Sequence, residues 1–353
     1  MSTAPESVLI VRLSSIGDVI HSLPAYAAVR AAWPEARLGW VSEPAAAPLL
    51  RRLPGPLTVH IVNTARWRRQ AWRPQTWSAV RAAFDELRAA RYQLAFDFQG
   101  LIKSAVVARR SGARVFGLAP EDTRESLATR LYDNTAPPTD PDGHIIERSL
   151  GVVRAAGVPT SGVHFPSVSN EEDDAFVEER LARLGVDGFI VAHAAANWAS
   201  KQWPRPQHAA LGRGLFRRSG LPVLWVWGPG EQAEAQRTAA AAGEGNAAAF
   251  ATNLPQLAAL LSRARLFLGG DSAPLHLAVA CRTPTVALFG PTSPQRLGPI
   301  DPRDIAVTST QPCSHCHQRR CPIGTRACME TLSADAVVDA AIDRLSMTVA
   351  RAG

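Results

Sequence analysis

The chain has 353 residues, of which 46% are hydrophobic and 20% are charged, and its formal net charge is +7. This length is too great for one ordinary hydrophobic core, so a soluble globular protein of two domains is expected. The basic excess predicts an acidic partner: nucleic acid, a phosphorylated metabolite or an anionic membrane surface.

The apolar stretches are too short for export or membrane insertion. Residues 8–13 form a brief run that Arg12 interrupts, unlike the apolar core of a signal peptide. No apolar run approaches the roughly 18 residues that a membrane-spanning helix needs. We therefore expect a cytoplasmic protein whose contact with a membrane is at most peripheral.

The first half, residues 1–165, predicts a doubly wound α/β domain. Buried apolar runs predict five strands, at residues 8–11, 38–41, 59–62, 94–98 and 115–117. Helical patterns fall between them at residues 18–33, 75–90 and 101–110. Strands that alternate with helices are typical of a parallel sheet.

Asp18 follows the first predicted strand, directly after Gly17. An acidic residue in a first helical turn is stabilised by the helix dipole and needs no further role. The carboxyl end of a strand is also where open α/β sheets place chemistry, so a catalytic role is the alternative. Gln99 and Lys103 follow the fourth strand in the same way and are expected to face the same cleft.

A basic stretch, residues 44–84, contains no Asp or Glu. Its seven arginines are Arg51, Arg52, Arg66, Arg68, Arg69, Arg73 and Arg81, with Trp67, Trp72 and Trp77 interleaved among them. Such a mixture stacks on nucleic-acid bases, clamps phosphates or carboxylates, or forms a solvated basic face. No nucleic-acid-binding motif accompanies it, so no nucleic-acid partner is expected.

Residues 171–332 repeat the alternation and predict a second domain of the same class. Strands are expected at residues 189–192, 223–227, 266–268 and 285–289, and helices at residues 171–184, 206–218, 254–262 and 275–281. A last apolar stripe predicts that a C-terminal helix, residues 333–353, docks back on the core. Polar residues follow three of the strands: His193 with Lys201, then Glu231, then the loop 271–276.

The loop 270–273 lies between a predicted strand and a predicted helix. Free backbone N–H groups and the positive end of the helix dipole attract phosphate at such a point. His276 falls in the first turn of that helix, so it is expected to face the bound group.

Four of the five cysteines lie close together, at Cys313, Cys316, Cys321 and Cys328, with His315 and His317 among them. They supply enough ligands for a structural zinc ion, although the spacing is not that of a standard zinc ribbon. Packing as reduced thiols and pairing in disulfides are the alternatives. A reducing compartment argues against an obligatory disulfide frame.

Several motifs, taken in order, resemble the heptosyltransferases of lipopolysaccharide core synthesis, glycosyltransferase family nine. They are LIVRLSSIGDVIHSLPA at 9–25, DFQGLIKSA at 97–105, TRESLA at 123–128, SKQWP at 200–204, GGDSAPLHLAVA at 269–280 and ALFGPT at 287–292. The resemblance spans nearly the whole chain. It implies a GT-B architecture with a cleft between two Rossmann-like domains, an acceptor domain followed by a nucleotide-sugar domain.

The resemblance also implies inverting transfer of heptose from ADP-heptose to a Kdo (3-deoxy-manno-octulosonate) or heptose hydroxyl of the lipopolysaccharide inner core. No cofactor or catalytic metal is implied. Asp18 matches the proposed general base of the family, which takes the acceptor proton as the anomeric carbon is attacked. The transfer would take place at the cytoplasmic face of the inner membrane, where Trp67 and Trp72 could contact the membrane interface.

On the donor side, Lys201 matches the lysine that meets the diphosphate, and His276 matches a histidine beside the donor. Glu231 resembles the acidic residue that holds the ribose, and Asp271 either caps its helix or touches the sugar. The backbone amides of Ser272 and Ala273 would stabilise the negative charge that develops on the leaving ADP. The family usually has Asp-Thr-Gly where this chain has Asp271-Ser272-Ala273. Serine keeps the hydroxyl group, whereas alanine lacks the conformational freedom of glycine, so the sequence leaves the path of the loop open.

On the acceptor side, the matching segments carry Arg66, Arg68, Arg69, Arg73, Gln99, Lys103 and Arg124. Guanidinium groups match carboxylates and phosphates bidentately, as an anionic Kdo and phosphate-bearing lipid would require. Two alternatives stay open: a family member that uses another nucleotide sugar or acceptor, and a non-catalytic binder of anionic glycolipid.

Overall fold

The computed structural model describes residues 4–349, so residues 350–353 of the predicted C-terminal segment lie outside the described part. The chain divides into two compact units, Met1–Val168 and Ser169–Gly353. Each unit contains one parallel sheet of six strands. Within residues 4–349, none of the helices has the length and apolar character needed to cross a bilayer.

The first unit has strands β1 (Ser7–Val11), β2 (Arg37–Ser42), β3 (Leu57–Ile61), β4 (Leu94–Asp97), β5 (Arg114–Gly117) and β6 (Asn134–Thr135). Its helices are α1 (Ile16–His21), α2 (Leu23–Ala32), α3 (Ala47–Leu50), α4 (Thr64–Arg69), α5 (Pro74–Ala89), α6 (Ile102–Arg110) and α7 (Ile146–Ala155). Short 3₁₀ helices occupy Pro120–Asp122 and Ser126–Leu131. The strand order β3-β2-β1-β4-β5-β6 is that of the doubly wound fold.

The single helix predicted at residues 18–33 is wrong, because the structure divides it at Ser22. The Ser22 hydroxyl donates to the carbonyl oxygen of Asp18 at 2.9 Å, and Ser22 both ends α1 and begins α2. Pro24 follows in the first turn of α2, where its missing N–H costs nothing. The break leaves α1 as a short helix that carries Asp18.

The second unit has strands β7 (Ile190–His193), β8 (Val223–Val226), β9 (Asn246–Ala248), β10 (Leu266–Gly270), β11 (Thr285–Phe289) and β12 (Ile305–Thr308). Its helices are α8 (Glu171–Leu184), α9 (Arg205–Ser219), α10 (Gln232–Ala242), α11 (Leu254–Arg263), α12 (Ala273–Ala280), α13 (Pro294–Leu297), α14 (Ala327–Glu330) and α15 (Ala334–Val349), with a 3₁₀ turn at Ala199–Lys201. The order β12-β11-β10-β7-β8-β9 repeats the pattern of the first sheet.

Helix α15 docks on the core of the second unit, as the apolar stripe predicts. Val337, Val338 and Ala341 are buried in one cluster with Trp225 of β8 and Leu215 of α9. The helix is therefore part of the folding unit of the second sheet.

A buried ion pair fixes α15 at the edge of this sheet. Arg344 Nε donates to Asp304 Oδ1 at 2.8 Å, and the two side chains are 3% and 5% exposed. The same oxygen accepts the backbone N–H of Thr285, the first residue of β11. Removal of one member of such a pair leaves an uncompensated buried charge.

We expect Arg344→Met to destabilise the protein by about 3–5 kcal/mol, because Asp304 then stays buried without its cation. Thermal unfolding followed by circular dichroism measures the loss. Arg303→Met is the matched control, since Arg303 pairs with Asp301 at the exposed surface of the same segment. Equal midpoints for the two variants would contradict the assigned role of Arg344.

Candidate functional site

In the second unit, a buried carboxylate joins two predicted donor-site residues. Lys201 Nζ lies 2.6 Å from Asp271 Oδ2, and His276 Nε2 lies 3.1 Å from Asp271 Oδ1. The Asp271 side chain is 4% exposed and that of Lys201 is 13% exposed. Lys201 also lies over the Trp198 ring, with Nζ 4.2 Å from its centroid. The three residues form one network at the carboxyl end of β10.

Charge balance keeps Asp271 ionised. Burial alone would raise the pKa of its carboxyl, but the hydrogen bond from His276 and the charges of His276 and Lys201 outweigh burial and lower the pKa well below its ordinary value. The carboxylate therefore remains a fixed negative group that orients the Lys201 ammonium.

A second network joins Glu231 to the same loop through His193, the last residue of β7. His193 Nε2 lies 3.2 Å from Glu231 Oε2, and His193 Nδ1 lies 3.3 Å from Ser272 Oγ. The hydrogen bond with His193 lowers the pKa of Glu231, and the backbone N–H of Gly228 adds to this effect. The two ring nitrogens of His193 thus connect Glu231 with Ser272.

The start of α12 differs from the expectations for residues 271–273. Ser272 occupies the N-cap position, so Asp271 does not cap the helix. Ala273 is the first helical residue and is not among the described residues with positive φ. Alanine is therefore accommodated here without strain, because this position does not need the conformational freedom of glycine.

In the first unit, Arg12 and Ser15 hold the carboxylate of Asp18. Arg12 Nη2 lies 2.9 Å from Asp18 Oδ1, while the N–H and hydroxyl of Ser15 donate to Oδ2 at 2.9 and 3.0 Å. The Arg12 guanidinium also donates to the carbonyl oxygen of Phe98, after β4. Because the Asp18 side chain is 39% exposed, its oriented carboxylate stays accessible.

Gln99 supports the loop that follows β1. Its side-chain oxygen accepts the backbone N–H of Leu13 at 2.9 Å, and its own N–H donates to Asp97 Oδ1 at 2.8 Å. Asp97 is fully buried, and burial raises the pKa of its carboxyl although Ser104 and Tyr132 donate to it. The hydrogen bonds of Gln99 and Asp97 thus connect the segments that follow β1 and β4.

Apart from Gln99, which is buried, the predicted acceptor residues lie on exposed segments of the first unit. Arg66, Arg68 and Arg69 belong to α4, which has no buried residue, while Arg73 immediately precedes α5 and its guanidinium lies 4.7 Å from the centroid of the Trp72 ring. Lys103 Nζ lies 3.7 Å from Glu43 Oε1 and 3.5 Å from Thr64 Oγ1, beside the start of α4. Arg124 is exposed, and its neighbour Glu125 accepts the N–H of Ile102 at the start of α6.

The four clustered cysteines line one cavity of about 20 Å³ in the second unit. Cys313, Cys316, Cys321 and Cys328 are all free thiols, and Ser200, the neighbour of Lys201, lies on the same cavity wall. Across residues 4–349, no group of three or more His, Cys, Asp or Glu side chains is placed so that it could hold a metal ion.

Two structural partners were not among the predicted site residues. Arg12 enters the sequence argument only as a charge that interrupts an apolar run, yet it joins Asp18 to the end of β4. His193 was recognised as a polar residue after a strand but received no role. A polar residue that ends a fully buried strand was the available signal in both cases.

Comparisons with known proteins agree with this architecture. The profile of glycosyltransferase family 9 (heptosyltransferase) matches residues 80–326. Lipopolysaccharide heptosyltransferase 1 of Pseudomonas aeruginosa is 32% identical over 317 residues, covering 89% of this chain and 87% of that protein. The protein of the same name from Escherichia coli K12 is 31% identical over 301 residues, 82% of this chain and 90% of its own.

A solved structure extends the similarity to the fold. The structure described as E. coli heptosyltransferase WaaC with ADP has a TM-score of 0.76 and 26% identity, and the match covers 96% of this chain and 99% of that one. The two parallel six-stranded sheets correspond to the GT-B fold of these heptosyltransferases. The chain therefore belongs to glycosyltransferase family 9, the heptosyltransferase family.

Proposed function

We propose that this glycosyltransferase moves heptose from ADP-heptose to a Kdo or heptose hydroxyl of the lipopolysaccharide inner core, with inversion at the anomeric carbon. The observation that carries the proposal is the buried Lys201–Asp271–His276 network beside the first turn of α12. Relatives named lipopolysaccharide heptosyltransferase 1, which match most of the chain, support the choice of substrates.

On the donor side, Lys201 meets the diphosphate of ADP-heptose. The Asp271 carboxylate and the Trp198 ring hold the ammonium in advance, so little reorganisation is needed as charge develops on the leaving ADP. The amides of Ser272 and Ala273 assist at the positive end of the α12 dipole. Glu231, held by His193, accepts hydrogen bonds from the ribose hydroxyls.

On the acceptor side, Asp18 is the general base. A hydroxyl group is a weak nucleophile near neutral pH, and a carboxylate within hydrogen-bonding distance takes its proton as the C–O bond forms. Arg12 and Ser15 fix the direction of that carboxylate. The anomeric carbon is attacked from the face opposite the departing ADP, so its configuration inverts.

The exposed arginines of the first unit recognise the anionic acceptor. Arg66, Arg69 and Arg73 offer bidentate donors to the carboxylate of Kdo and to lipid phosphates, with Arg68, Gln99, Lys103 and Arg124 as further contacts. Trp72, which is 75% exposed, reaches the membrane interface. The enzyme acts at the cytoplasmic face of the inner membrane as a peripheral protein. The transfer itself needs no metal, and any zinc ion serves the structure of the cysteine segment.

Replacement of Lys201 tests the donor side. We expect Lys201→Met to weaken ADP binding by about tenfold to a hundredfold, because charge-assisted hydrogen bonds to the diphosphate are lost. Isothermal titration calorimetry with ADP measures the change. Lys103→Met, which alters the only other lysine of the chain, is the control and should bind ADP as the parent does. Unaltered ADP affinity in a folded Lys201→Met protein would remove Lys201 from the donor site.

Replacement of Asp18 tests the base. Asp18→Asn should lower kcat by about 10²–10⁴-fold, because the amide cannot accept the acceptor proton. ADP release from ADP-heptose with a Kdo–lipid A acceptor measures turnover, while calorimetry should show unchanged ADP affinity. Asp85→Asn, at an exposed ion pair on α5, is the matched control. Retention of full transfer by Asp18→Asn would mean that another group is the base.

Replacement of two arginines on α4 tests acceptor recognition. The double variant Arg66→Gln and Arg69→Gln should raise the acceptor KM by about tenfold, equivalent to about 1.4 kcal/mol, and leave the donor KM unchanged. Steady-state kinetics with each substrate varied in turn separates the two constants. Arg88→Gln, on the last turn of α5, controls for the loss of positive charge. A parallel rise of the donor KM would contradict the acceptor assignment.

A further inference from the structure

The cysteine segment of the second unit, residues 309–326, contains neither helix nor strand between β12 and α14. A stretch of this length inside a compact domain needs a specific means of holding its shape. Three of its residues, His315, His317 and Arg326, have φ of 62°, 55° and 48°, values that non-glycine residues seldom adopt. The hydrogen bonds of a helix or strand therefore do not hold this segment.

The thiols of the segment surround a space of atomic size. Cys313, Cys316, Cys321 and Cys328 line the cavity of about 20 Å³, which has room for one water-sized occupant. Thiols that served only as packing groups would fill such a void, because protein interiors are close-packed. Four thiols around one small space instead suit a soft metal ion, which prefers tetrahedral sulfur ligands.

The backbone and the charge around Cys321 suit a metal–thiolate centre. The backbone N–H of Arg326 donates to Cys321 Sγ at 3.3 Å. The segment 309–328 has three arginines and no acidic residue, so its positive charge complements the negative charge of four thiolates on one metal ion.

We propose that Cys313, Cys316, Cys321 and Cys328 bind one Zn²⁺ or iron ion as a tetrathiolate centre that braces the donor-binding lysine. As placed, no group of three or more His, Cys, Asp or Glu among the described residues 4–349 could hold a metal ion. The proposal therefore requires the four thiols to turn into the cavity that they line. A change of χ1 rotamer moves a cysteine sulfur by roughly 3 Å, a shift comparable to the size of this cavity.

Hydrogen bonds connect the segment to Lys201. Gln318 and Arg319 lie between the second and third cysteines of the cluster. The hydroxyl group of Ser200 donates to the backbone carbonyl oxygen of Gln318 at 2.6 Å, and the backbone N–H of Ser200 donates to that of Arg319 at 3.3 Å. Arg319 also lies over the Trp198 ring, on which Lys201 rests. Loss of the metal would therefore loosen the turn that positions the ammonium.

The other side of the segment is fixed to the loop after β11. The N–H groups of His315 and His317 donate to the carbonyl oxygens of Gly290 and Pro291 at 2.9 and 2.7 Å. A Cβ at Gly290 would lie 2.4 Å from Met329 Sδ and 3.1 Å from Cys328 Sγ. The segment thus connects this loop with the donor turn. This role in donor binding rests on the proposed function, whereas the metal site itself does not.

Metal content tests the site directly. Untagged protein purified without chelator should contain about one zinc or iron per chain by inductively coupled plasma mass spectrometry. Visible charge-transfer absorption would identify iron, and its absence with stoichiometric zinc would identify zinc. Cys316→Ser should lose the metal. Cys281→Ser, at the isolated cysteine that follows α12, should retain it.

Removal of the metal from the parent protein avoids dependence on variants that fail to fold. Chelator-treated protein should bind ADP about tenfold more weakly, because the lysine is displaced, and addition of Zn²⁺ or Fe²⁺ should restore the affinity. Metal-free protein that binds neither ion at micromolar concentration, with its cysteines as free thiols or as disulfides, would overturn the metal site. Unchanged ADP affinity after removal would overturn the bracing role.

The two proposals fail separately. A metal-bound protein that transfers no heptose would contradict the proposed function and leave the tetrathiolate centre intact. A protein that binds no metal and transfers heptose fully would contradict the tetrathiolate centre and leave the proposed function intact.

Discussion

The buried carboxylate of Asp271 is the constraint on which the candidate site of the second unit depends. A carboxylate removed from water costs several kcal/mol unless cations and hydrogen bonds compensate it. Lys201 and His276 supply that compensation, and Lys201 lies 70 positions away in the chain. Folding of the second unit therefore requires the 199–201 turn and the start of α12 to meet. The ammonium proposed to meet ADP is positioned by the same requirement.

In each unit, the candidate site residues follow the corresponding pair of central strands. In the first sheet, β1 and β4 are neighbours at the point where the strand order reverses, and Arg12 connects the loops beyond them. In the second sheet, β7 and β10 have that relation, with His193 opposite Gly269. Ligands of doubly wound sheets bind at this reversal because adjacent loops diverge there. The repeated topology explains why polar groups from distant segments come together in each unit.

The strands of continuous apolar character could be predicted because burial on both faces leaves an unambiguous pattern. Three others were missed. β6 has two residues, β9 is Asn-Ala-Ala, and β12 is only partly buried, so none carries a strong apolar signal. Helix α10 was missed for a related reason, since its many alanines show no clear apolar face. These elements are specified by packing on a sheet that the central strands have already formed.

The candidate site could be predicted only in part, for a similar reason. Motif order identified Asp18, Lys201 and Asp271 as polar groups after strands. The pairing of Lys201 with Asp271, and of Arg12 with Asp18, depends on the three-dimensional contact of segments that the sequence does not relate. The cysteine spacing left three chemical states open, and the cavity that the thiols share is what favours one of them.

The composition of α4 is unfavourable for folding, which makes a ligand the better explanation for it. Arg66 and Arg69 lie three residues apart on one helical face, where like charges repel. Trp67 packs against the core of the first unit, but the arginines of the helix are exposed, so packing does not require them. Nor does the stretch 44–84 contain a single acidic residue that would neutralise it. An anionic acceptor would supply the missing charge, and α4 would then be more stable in the acceptor complex than in the free enzyme.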